Sequence, residues 1–270
     1  MVKKMGRLGM ITVIKGADEL ATGVAYRLYK CGLDVIMTET GSPLVVKRKV
    51  AFAEAVQDGT VTVEGINARL AGSMENALAM FDEGIIPVVI DPEARVVEEL
   101  YPQIVVDARM AKRNLGTAIE DAPLVIGLGP GFEAGVDVHA VIETCRGSRL
   151  GRVIYRGGAI PNTGVPGDIE GCTVERMIKA PVEGVVINAR SIGEAVKKGD
   201  IVATVGNTPV RSRITGIVRG MVREGVNVPK GTRIANIDPR KDIECDIISD
   251  RALSVAGGVL EAVFTFMANY

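Results

Sequence analysis

The chain has 270 residues, of which 47% are hydrophobic, so it is long enough to bury one large core or two smaller ones. Its formal net charge is -1, with 32 basic and 33 acidic residues, and this balance argues against electrostatic capture of nucleic acid or of an anionic membrane. Aromatic residues make up 4% of the chain and tryptophan is absent, which argues against a base-stacking platform.

The cysteines and the histidine predict no metal site. Cys31, Cys145, Cys172 and Cys245 lie far apart, and His139 is the single histidine available to join them. Structural zinc sites need closely spaced ligand pairs, and disulfide frameworks belong to short secreted chains. The apolar run after the basic N-terminus is too short for a signal peptide, and no stretch predicts a membrane span. We therefore expect a cytoplasmic protein with spare thiols.

The first 155 residues alternate short apolar runs with helical patterns. Residues 10–14 predict a strand, the segment up to Gly32 carries its apolar residues on one helical face, and residues 33–37 predict a second strand. The connection rules make this βαβ unit parallel and right-handed. The further strands expected in this part are residues 86–90, 104–107, 124–126 and 140–142. Their near-continuous apolar character is typical of a sheet with both faces covered.

Two local signals lie between these strands. Alternating apolar residues on both sides of Glu64 and Gly65 predict a hairpin. Ser73 predicts the start of a helix that ends before Gly84.

The second half contains an internal repeat, which pairs Gly184 with Gly216 and Gly199 with Gly231 at an offset of 32 residues. Each copy is a predicted strand, turn and strand, too short to bury its own apolar face. The two copies are therefore expected to pack together with two-fold symmetry. This arrangement resembles the barrel-sandwich hybrid of biotinyl and lipoyl domains. The segment that joins the copies, residues 206–212, has no lysine, so no covalent biotin or lipoate is expected.

We therefore predict an α/β fold with a Rossmann-like, mostly parallel sheet over residues 1–176 and a small all-β barrel-sandwich hybrid module over residues 177–240. Residues 241–270 are expected to form a C-terminal helical segment that packs back on the α/β domain, with a final strand as the alternative. Gly257 and Gly258 interrupt this helix at a cost of roughly 1 kcal/mol each, which close packing would offset. The Gly- and Pro-rich residues 156–171 are either a linker or a functional loop.

The first candidate ligand-binding residues are Gly16, Ala17, Asp18 and Gly23, at the turn between the first strand and its helix. In a dinucleotide-binding turn the second glycine lets the backbone approach the pyrophosphate, and Asp18 occupies that position here. Two interpretations stay open. Asp18 caps the helix and takes the place of a phosphate, or the turn binds a nucleotide whose ribose is held by Glu39, 23 residues after Gly16.

Two further sets of candidate ligand-binding residues follow buried strands: Lys112, Arg113 and Asn114, and then Gly127, Gly129 and Gly131. The first set suits a phosphate or carboxylate, or else forms a solvated basic turn. The second set forms either an anion-binding nest of backbone N–H groups or an ordinary tight turn. Because ligands of open α/β sheets bind at the carboxyl ends of the strands, we expect these loops to gather into a single anion-accepting cleft. No catalytic residue is identified. His139 beside Asp137 is interpreted as structural, with a catalytic role as the alternative.

Six stretches taken together carry a resemblance that runs through nearly the whole chain. They are Lys15–Gly23, Lys112–Gly116, Pro123–Phe132, Asp137–Thr144, Pro161–Gly164 and Gly257–Glu261. The chain resembles the YqeB family, accessory proteins of selenium-dependent molybdenum hydroxylases. The resemblance implies a maturation factor that handles or inserts the molybdopterin cofactor or its selenium ligand, as XdhC-type proteins handle a sulfurated cofactor.

The same resemblance implies a molybdopterin dinucleotide or another nucleotide-bearing ligand. The implied partners are the molybdenum hydroxylase client and other maturation proteins, whereas nucleic acid and membranes are not expected. An NAD(P)-type oxidoreductase and a non-catalytic docking scaffold for the client are the alternative functions, and homo-oligomerisation stays open.

Overall fold

The computed structural model describes residues 8–269, and the chain divides into two compact units. The first unit comprises the residues up to 43, residues 51–162 and those from 248 onward. The second unit comprises residues 44–50 and 163–247. The second unit thus contains residues 44–50 and 163–176, which the sequence analysis places in the α/β domain, and residues 241–247, which it places in the C-terminal segment.

The first unit is built on a nine-stranded mixed sheet. Its strands, in chain order, are β1 (Ile11–Lys15), β2 (Asp34–Glu39), β3 (Thr60–Val63), β4 (Ile66–Leu70), β5 (Ile86–Ile90), β6 (Ile104–Asp107), β7 (Leu124–Leu128), β8 (Ala140–Ile142) and β9 (Val153–Ile154). In space their order is β3-β4-β5-β2-β1-β6-β7-β8-β9. The strands from β4 to β8 pair in parallel, whereas β3 and β9 pair antiparallel at the two edges. The carboxyl ends of the parallel strands therefore lie along one edge of the sheet.

The central strands are rich in aliphatic residues because both of their faces are covered. Strands β6 and β7 are buried at every position, and β1 and β2 are buried except at their ends. One core cluster packs Val13, Ile36, Val105 and Val125 together with Phe81. Burying each of these side chains contributes about 1.5–3 kcal/mol relative to leaving it exposed.

Three of the five α-helices of the described residues begin at a side chain that accepts a hydrogen bond from a free backbone N–H group. The five helices are α1 (Glu19–Lys30), α2 (Ala55–Asp58), α3 (Met74–Glu83), α4 (Val96–Leu100) and α5 (Asp250–Ala268). The Ser73 hydroxyl accepts a hydrogen bond from the Asn76 N–H (3.1 Å) at the start of α3, and Gly84 ends that helix with φ +73°. The β3–β4 hairpin turns at Glu64 and Gly65, both with positive φ. These local predictions are confirmed.

Helix α5 begins after Ser249, whose hydroxyl accepts a hydrogen bond from the Ala252 N–H (3.2 Å), and it packs on α1. The alternative of a final strand in this segment is wrong. By length and composition α5 also qualifies as a membrane-crossing helix, contrary to the expectation that no stretch would. With 39% of its apolar window buried inside the structure, this is a weak indication, because the core helix of a soluble protein qualifies in the same way.

The second unit consists of two four-stranded antiparallel sheets. Its strands are β10 (Met177–Lys179), β11 (Gly184–Asn188), β12 (Ala195–Val196), β13 (Ile201–Val205), β14 (Thr208–Arg211), β15 (Gly216–Met221), β16 (Asn227–Val228) and β17 (Arg233–Asp238). Their orders are β10-β17-β15-β12 and β14-β13-β11-β16.

The sequence repeat is visible in this pairing. Strands β11, β12 and β13 of the first copy correspond to β15, β16 and β17 of the second, and β11 pairs with β16 while β12 pairs with β15. Equivalent positions are buried in one joint core, as Val186 and Val218 show, and likewise Val202 and Ile234. Neither copy could bury these side chains alone.

The predicted fold class, a Rossmann-like mostly parallel sheet followed by a barrel-sandwich hybrid, is wrong. The large sheet is mixed, and the connections from β6 to β7 and from β7 to β8 contain no α-helix in the described structure. The physical reason is local. Met110, Lys112, Gly129 and Gly131 adopt positive φ in these connections, and a right-handed helix cannot continue through such residues. The second unit shows two separate sheets and not a biotinyl-like barrel.

Candidate functional site

The candidate site lies at the carboxyl edge of the nine-stranded sheet. Strand β1 has β2 on one side and β6 on the other, so the chain passes from β1 to its neighbour β2 on one side and from β6 to its neighbour β7 on the other. In open sheets with parallel strands, ligands bind in the crevice formed at such a point.

The turn after β1 is the first part of this edge. Gly16 has φ +101°, and a methyl group on it would lie 3.3 Å from the backbone of Ala108 and Arg109. The loops after β1 and β6 therefore touch at this glycine, and a side chain here would separate them. Gly16 and Ala17 are both buried, as close backbone packing requires.

Asp18 caps helix α1. Its carboxylate accepts a hydrogen bond from the Leu20 N–H (3.0 Å), and the side chain is half-buried. Burial, followed by the negative charges of Glu19 and Glu39, raises the pKa of the Asp18 carboxyl from 3.8 to about 6. The carboxylate thus occupies the helix N-terminus, where a phosphate would otherwise bind.

Glu39 belongs to the same turn. Its Oε1 accepts a hydrogen bond from the Ala17 N–H (3.3 Å), and its Oε2 accepts one from the Thr40 N–H (2.6 Å). The structure therefore brings Glu39 next to the first turn, with both carboxylate oxygens bonded to backbone.

A buried polar network joins β1 to the loop after β6. The Thr117 hydroxyl donates to the carboxylate of Asp107 (2.7 Å) and accepts from the Lys15 ammonium group (2.9 Å). Lys15 also pairs with Asp121 (2.7 Å), and Arg109 pairs with Asp107. Each of these cations already faces a carboxylate, so the network holds the loop in place.

Sequence reasoning missed this network. Lys15 and Thr117 are 102 positions apart. The only signal in the sequence was the charged side chain of Lys15 directly after an apolar run. A lysine that is 4% exposed requires a nearby carboxylate.

The predicted basic residues follow within the same loop. The side chain of Asn114 closes the turn, since its Oδ1 accepts from the Thr117 N–H (2.8 Å) and its Nδ2 donates to the Thr117 carbonyl (2.7 Å). Lys112 has φ +65°, and both Lys112 and Arg113 are exposed. Within residues 8–269, neither of these two side chains has a hydrogen-bond or ion-pair partner.

The glycine loop after β7 packs directly against this basic segment. Gly131 has φ +114°, and a methyl group on it would lie 2.6 Å from the Arg113 nitrogen and 2.8 Å from the Lys112 carbonyl carbon. Gly129 has φ +73° and approaches Thr144, at the end of β8. Gly127 leaves room for the ring of Phe132. The loops after β6, β7 and β8 therefore meet through glycines.

Gly23 lies apart from the other predicted residues. It faces α5 in the helix interface, where a methyl group would lie 2.9 Å from the Ala252 Cβ. It is thus a packing glycine and does not line the edge.

His139 has a structural contact. Its Nδ1 accepts a hydrogen bond from the Val125 N–H (3.0 Å), and burial lowers the pKa of the imidazole while the charge of Glu120 opposes this shift.

The end of β8 contributes residues that the sequence did not indicate. Arg251, in the first turn of α5, donates from Nε to the Thr144 carbonyl (2.9 Å), and burial lowers the pKa of its guanidinium while the charges of Glu19 and Asp18 oppose this shift. Cys145 is exposed beside it. No signal in the sequence links Arg251 to Thr144, because they are 107 positions apart.

No group of three or more possible metal ligands occurs in the part of the chain that the structure describes.

No family model matches the chain. The Escherichia coli (strain K12) protein named "Uncharacterized protein YqeB" is 48% identical over 258 residues, which cover 95% of this chain and 48% of the E. coli protein. Among solved structures, an aspartoacylase family protein from Mesorhizobium loti is 14% identical, with 87% of each chain covered and a TM-score of 0.29. The ectoine utilization protein EutE from Ruegeria pomeroyi, with product bound, is 12% identical, with 87% of this chain and 86% of that chain covered and a TM-score of 0.26.

The two structural likenesses are too low to carry an argument about fold or activity. The sequence identity with the E. coli protein is much higher, and it extends over nearly the whole chain. The chain spans about half the length of this curated relative, and it is similar to that half over nearly the whole of its own length.

Proposed function

We propose that this chain is part of a cytoplasmic factor that matures a selenium-dependent molybdenum hydroxylase by holding the molybdopterin cofactor, or a phosphate-bearing precursor of it, at the carboxyl edge of the large sheet. We propose the client enzyme from the family resemblance, and we propose the class of ligand from the geometry of this edge.

One observation supports the ligand class: two exposed cations without partners stand on a backbone segment that packs against a glycine loop. The backbone of Lys112 and Arg113 cannot move away from Gly131 without opening the close contact that the missing side chain of this glycine permits. A guanidinium and an ammonium group at adjacent positions match a phosphate. The basic segment therefore provides the positive charge that the acidic turn at Asp18 does not.

The capping role of Asp18 argues against the NAD(P)-type oxidoreductase. A dinucleotide would need the N-terminus of α1 for its pyrophosphate, and the Asp18 carboxylate already accepts a hydrogen bond from the backbone there. We place the ligand instead over the loops that follow β6 and β7.

A charge-removal pair tests this proposal. The double substitution Lys112→Gln and Arg113→Gln should raise the Kd for a molybdopterin dinucleotide by about tenfold or more, since tenfold corresponds to about 1.4 kcal/mol. The matched control is Arg27→Gln with Lys30→Gln, which removes two exposed cations from the last turn of α1, at the opposite end of that helix. Fluorescence titration and native mass spectrometry would measure binding.

The outcomes separate clearly. Equal affinity of the two double variants would show that the basic segment does not hold the ligand. An absence of pterin ligand in natively purified protein, together with no saturable titration, would end the cofactor-holding proposal. Co-purification of a hydroxylase subunit without any ligand would favour the docking scaffold instead.

A further inference from the structure

The second unit contains a cavity of about 260 Å³ that the function proposed above does not use. It lies between β10, the edge strand of one four-stranded sheet, and the end of β14, the edge strand of the other. Its floor includes Ile178 and Val210, which are 2% and 6% exposed. A cavity of this size with an apolar floor suits a small organic molecule.

The rim of the cavity is cationic. Lys179, Arg211 and Arg213 line it. Arg211 donates from Nη1 to the Gly199 carbonyl (2.8 Å), which fixes its guanidinium and leaves its other N–H groups available. Among the residues that the structure describes, the side chains of Lys179 and Arg213 have no hydrogen-bond partner.

One carboxylate lies close to this rim. Glu175 accepts hydrogen bonds on Oε2 from the N–H (3.1 Å) and the hydroxyl (3.4 Å) of Thr173. Its own backbone N–H and that of Thr173 lower the pKa of Glu175, and the charge of Arg213 adds to this shift. The three lining cations and Glu175 together carry a net charge of +2, from three positive charges and one negative charge.

The Gly- and Pro-rich loop, which the sequence analysis interprets as a linker or a functional loop, lies on a further side of the cavity. Gly164 of this loop lines the cavity. Arg176, which is 6% exposed, donates from Nη2 to the Gly167 carbonyl (2.7 Å) and from Nε to the Cys172 carbonyl (3.1 Å). These bonds anchor the loop beside β10, so this side of the cavity is part of the folded unit.

We propose that this cavity binds a small organic dianion, of the class of phosphate monoesters with an apolar body. The apolar floor takes the body, and the rim takes the head group through charge-assisted hydrogen bonds. A doubly charged head group balances the rim, whereas a carboxylate balances only half of it.

Isothermal titration calorimetry of the full chain with phenyl phosphate tests this site. Phenyl phosphate should bind saturably and about tenfold more tightly than either inorganic phosphate, which lacks the ring, or benzoate, which carries one charge, where tenfold is about 1.4 kcal/mol. The substitutions Lys179→Gln and Arg213→Gln together should raise the Kd for phenyl phosphate by about tenfold or more. The control, Lys197→Gln with Lys241→Gln, removes two exposed cations of the same unit that do not line the cavity and should leave the Kd unchanged.

The charge-preserving pair Lys179→Arg and Arg213→Lys keeps the test valid if the neutral pair fails to fold, because it should retain binding. An absence of saturable binding to the unsubstituted chain would overturn the inference. So would binding that is lost in the Lys112→Gln and Arg113→Gln variant and kept in the Lys179→Gln and Arg213→Gln variant, since that result assigns the anion to the carboxyl edge. The two double variants therefore distinguish a failure of this proposal from a failure of the cofactor-holding proposal.

Discussion

Two adjacent glycines in helix α5 should respond to alanine in opposite directions. Gly257 is exposed and has no neighbouring atom within 4 Å of the position that a methyl group would take. At Gly258 a methyl group would overlap the Gly151 carbonyl oxygen and lie 2.9 Å from the Ile142 Cγ2. The same substitution thus meets open space at one position and backbone at the next.

The magnitudes follow from these surroundings. Alanine in place of an exposed helical glycine contributes about 0.5–1 kcal/mol, so Gly257→Ala should stabilise the first unit by that amount. Gly258→Ala gains the same helix-propensity free energy, but the added methyl group overpacks the interface, which costs about 1–3 kcal/mol. The obstacle at Gly258 is backbone, which cannot rotate away, so the cost lies toward the upper end and the net change is a loss of about 1–2 kcal/mol.

Urea unfolding followed by far-UV circular dichroism at the helical band measures both variants. All the α-helices of the described residues lie in the first unit, so this signal reports on that unit although the whole chain is not two-state. The midpoint should rise for Gly257→Ala and fall for Gly258→Ala relative to the unsubstituted chain. Equal midpoints for the two variants, or a lower midpoint for Gly257→Ala, would refute the assignment of Gly258 to the packed face of α5.

Two further predictions concern ionised carboxylates. Because the pKa of Asp18 is raised from 3.8 to about 6 in the folded state, the folded chain binds more protons between those values and loses stability as the pH rises through them. Asp18→Asn keeps a capping side chain without the charge, so its urea midpoint should exceed that of the unsubstituted chain at neutral pH, and the difference should vanish below pH 3.8. The pKa of Asp238 is shifted in the opposite direction. Burial alone would raise this pKa, but hydrogen bonds from Arg240 and Arg219 lower it to about 2. The stability that ionised Asp238 contributes to the folded state is therefore present above pH 3.8 and is lost as the pH falls toward 2. Asp238→Asn leaves the buried Arg219 unpaired, which should destabilise the second unit by about 3–5 kcal/mol, measured by amide hydrogen exchange in β15 and β17; unchanged exchange would contradict it.

The sequence predicted local elements well because their signals are local. Ser73 and Gly84 bound a helix through their own backbone and side-chain preferences, and the hairpin at Glu64 depends on its two central residues alone. The repeat was also readable, since equivalent positions such as Val186 and Val218 are buried for the same reason in both copies. Each of these inferences needs only neighbouring residues or a comparison of the chain with itself.

The fold class failed because it depends on connections. Short apolar runs indicate buried strands, but they do not say whether a helix or an irregular loop joins them. Between β6 and β8 the chain forms loops through Met110 and Lys112, and a left-handed conformation at a non-glycine residue has no sequence signature. The sequence also gave no sign that residues 44–50 belong to the second unit, since membership of a unit is a long-range property.

The candidate site was predicted from the sequence only in part. The sequence placed cations and glycines after neighbouring strands, but it could not tell a basic turn in solvent from a fixed anion site. The contact between Gly131 and the backbone at Lys112 and Arg113 adds one observation, because it holds the backbone of this basic segment against the glycine loop. The acidic cap at Asp18 then has a consequence for the whole edge: the positive end of α1 is already neutralised, so the charged loops, and not the helix dipole, set the potential that an incoming anion meets. The ligand that we propose for this edge is therefore expected toward β6 and β7, away from the place that a dinucleotide would occupy.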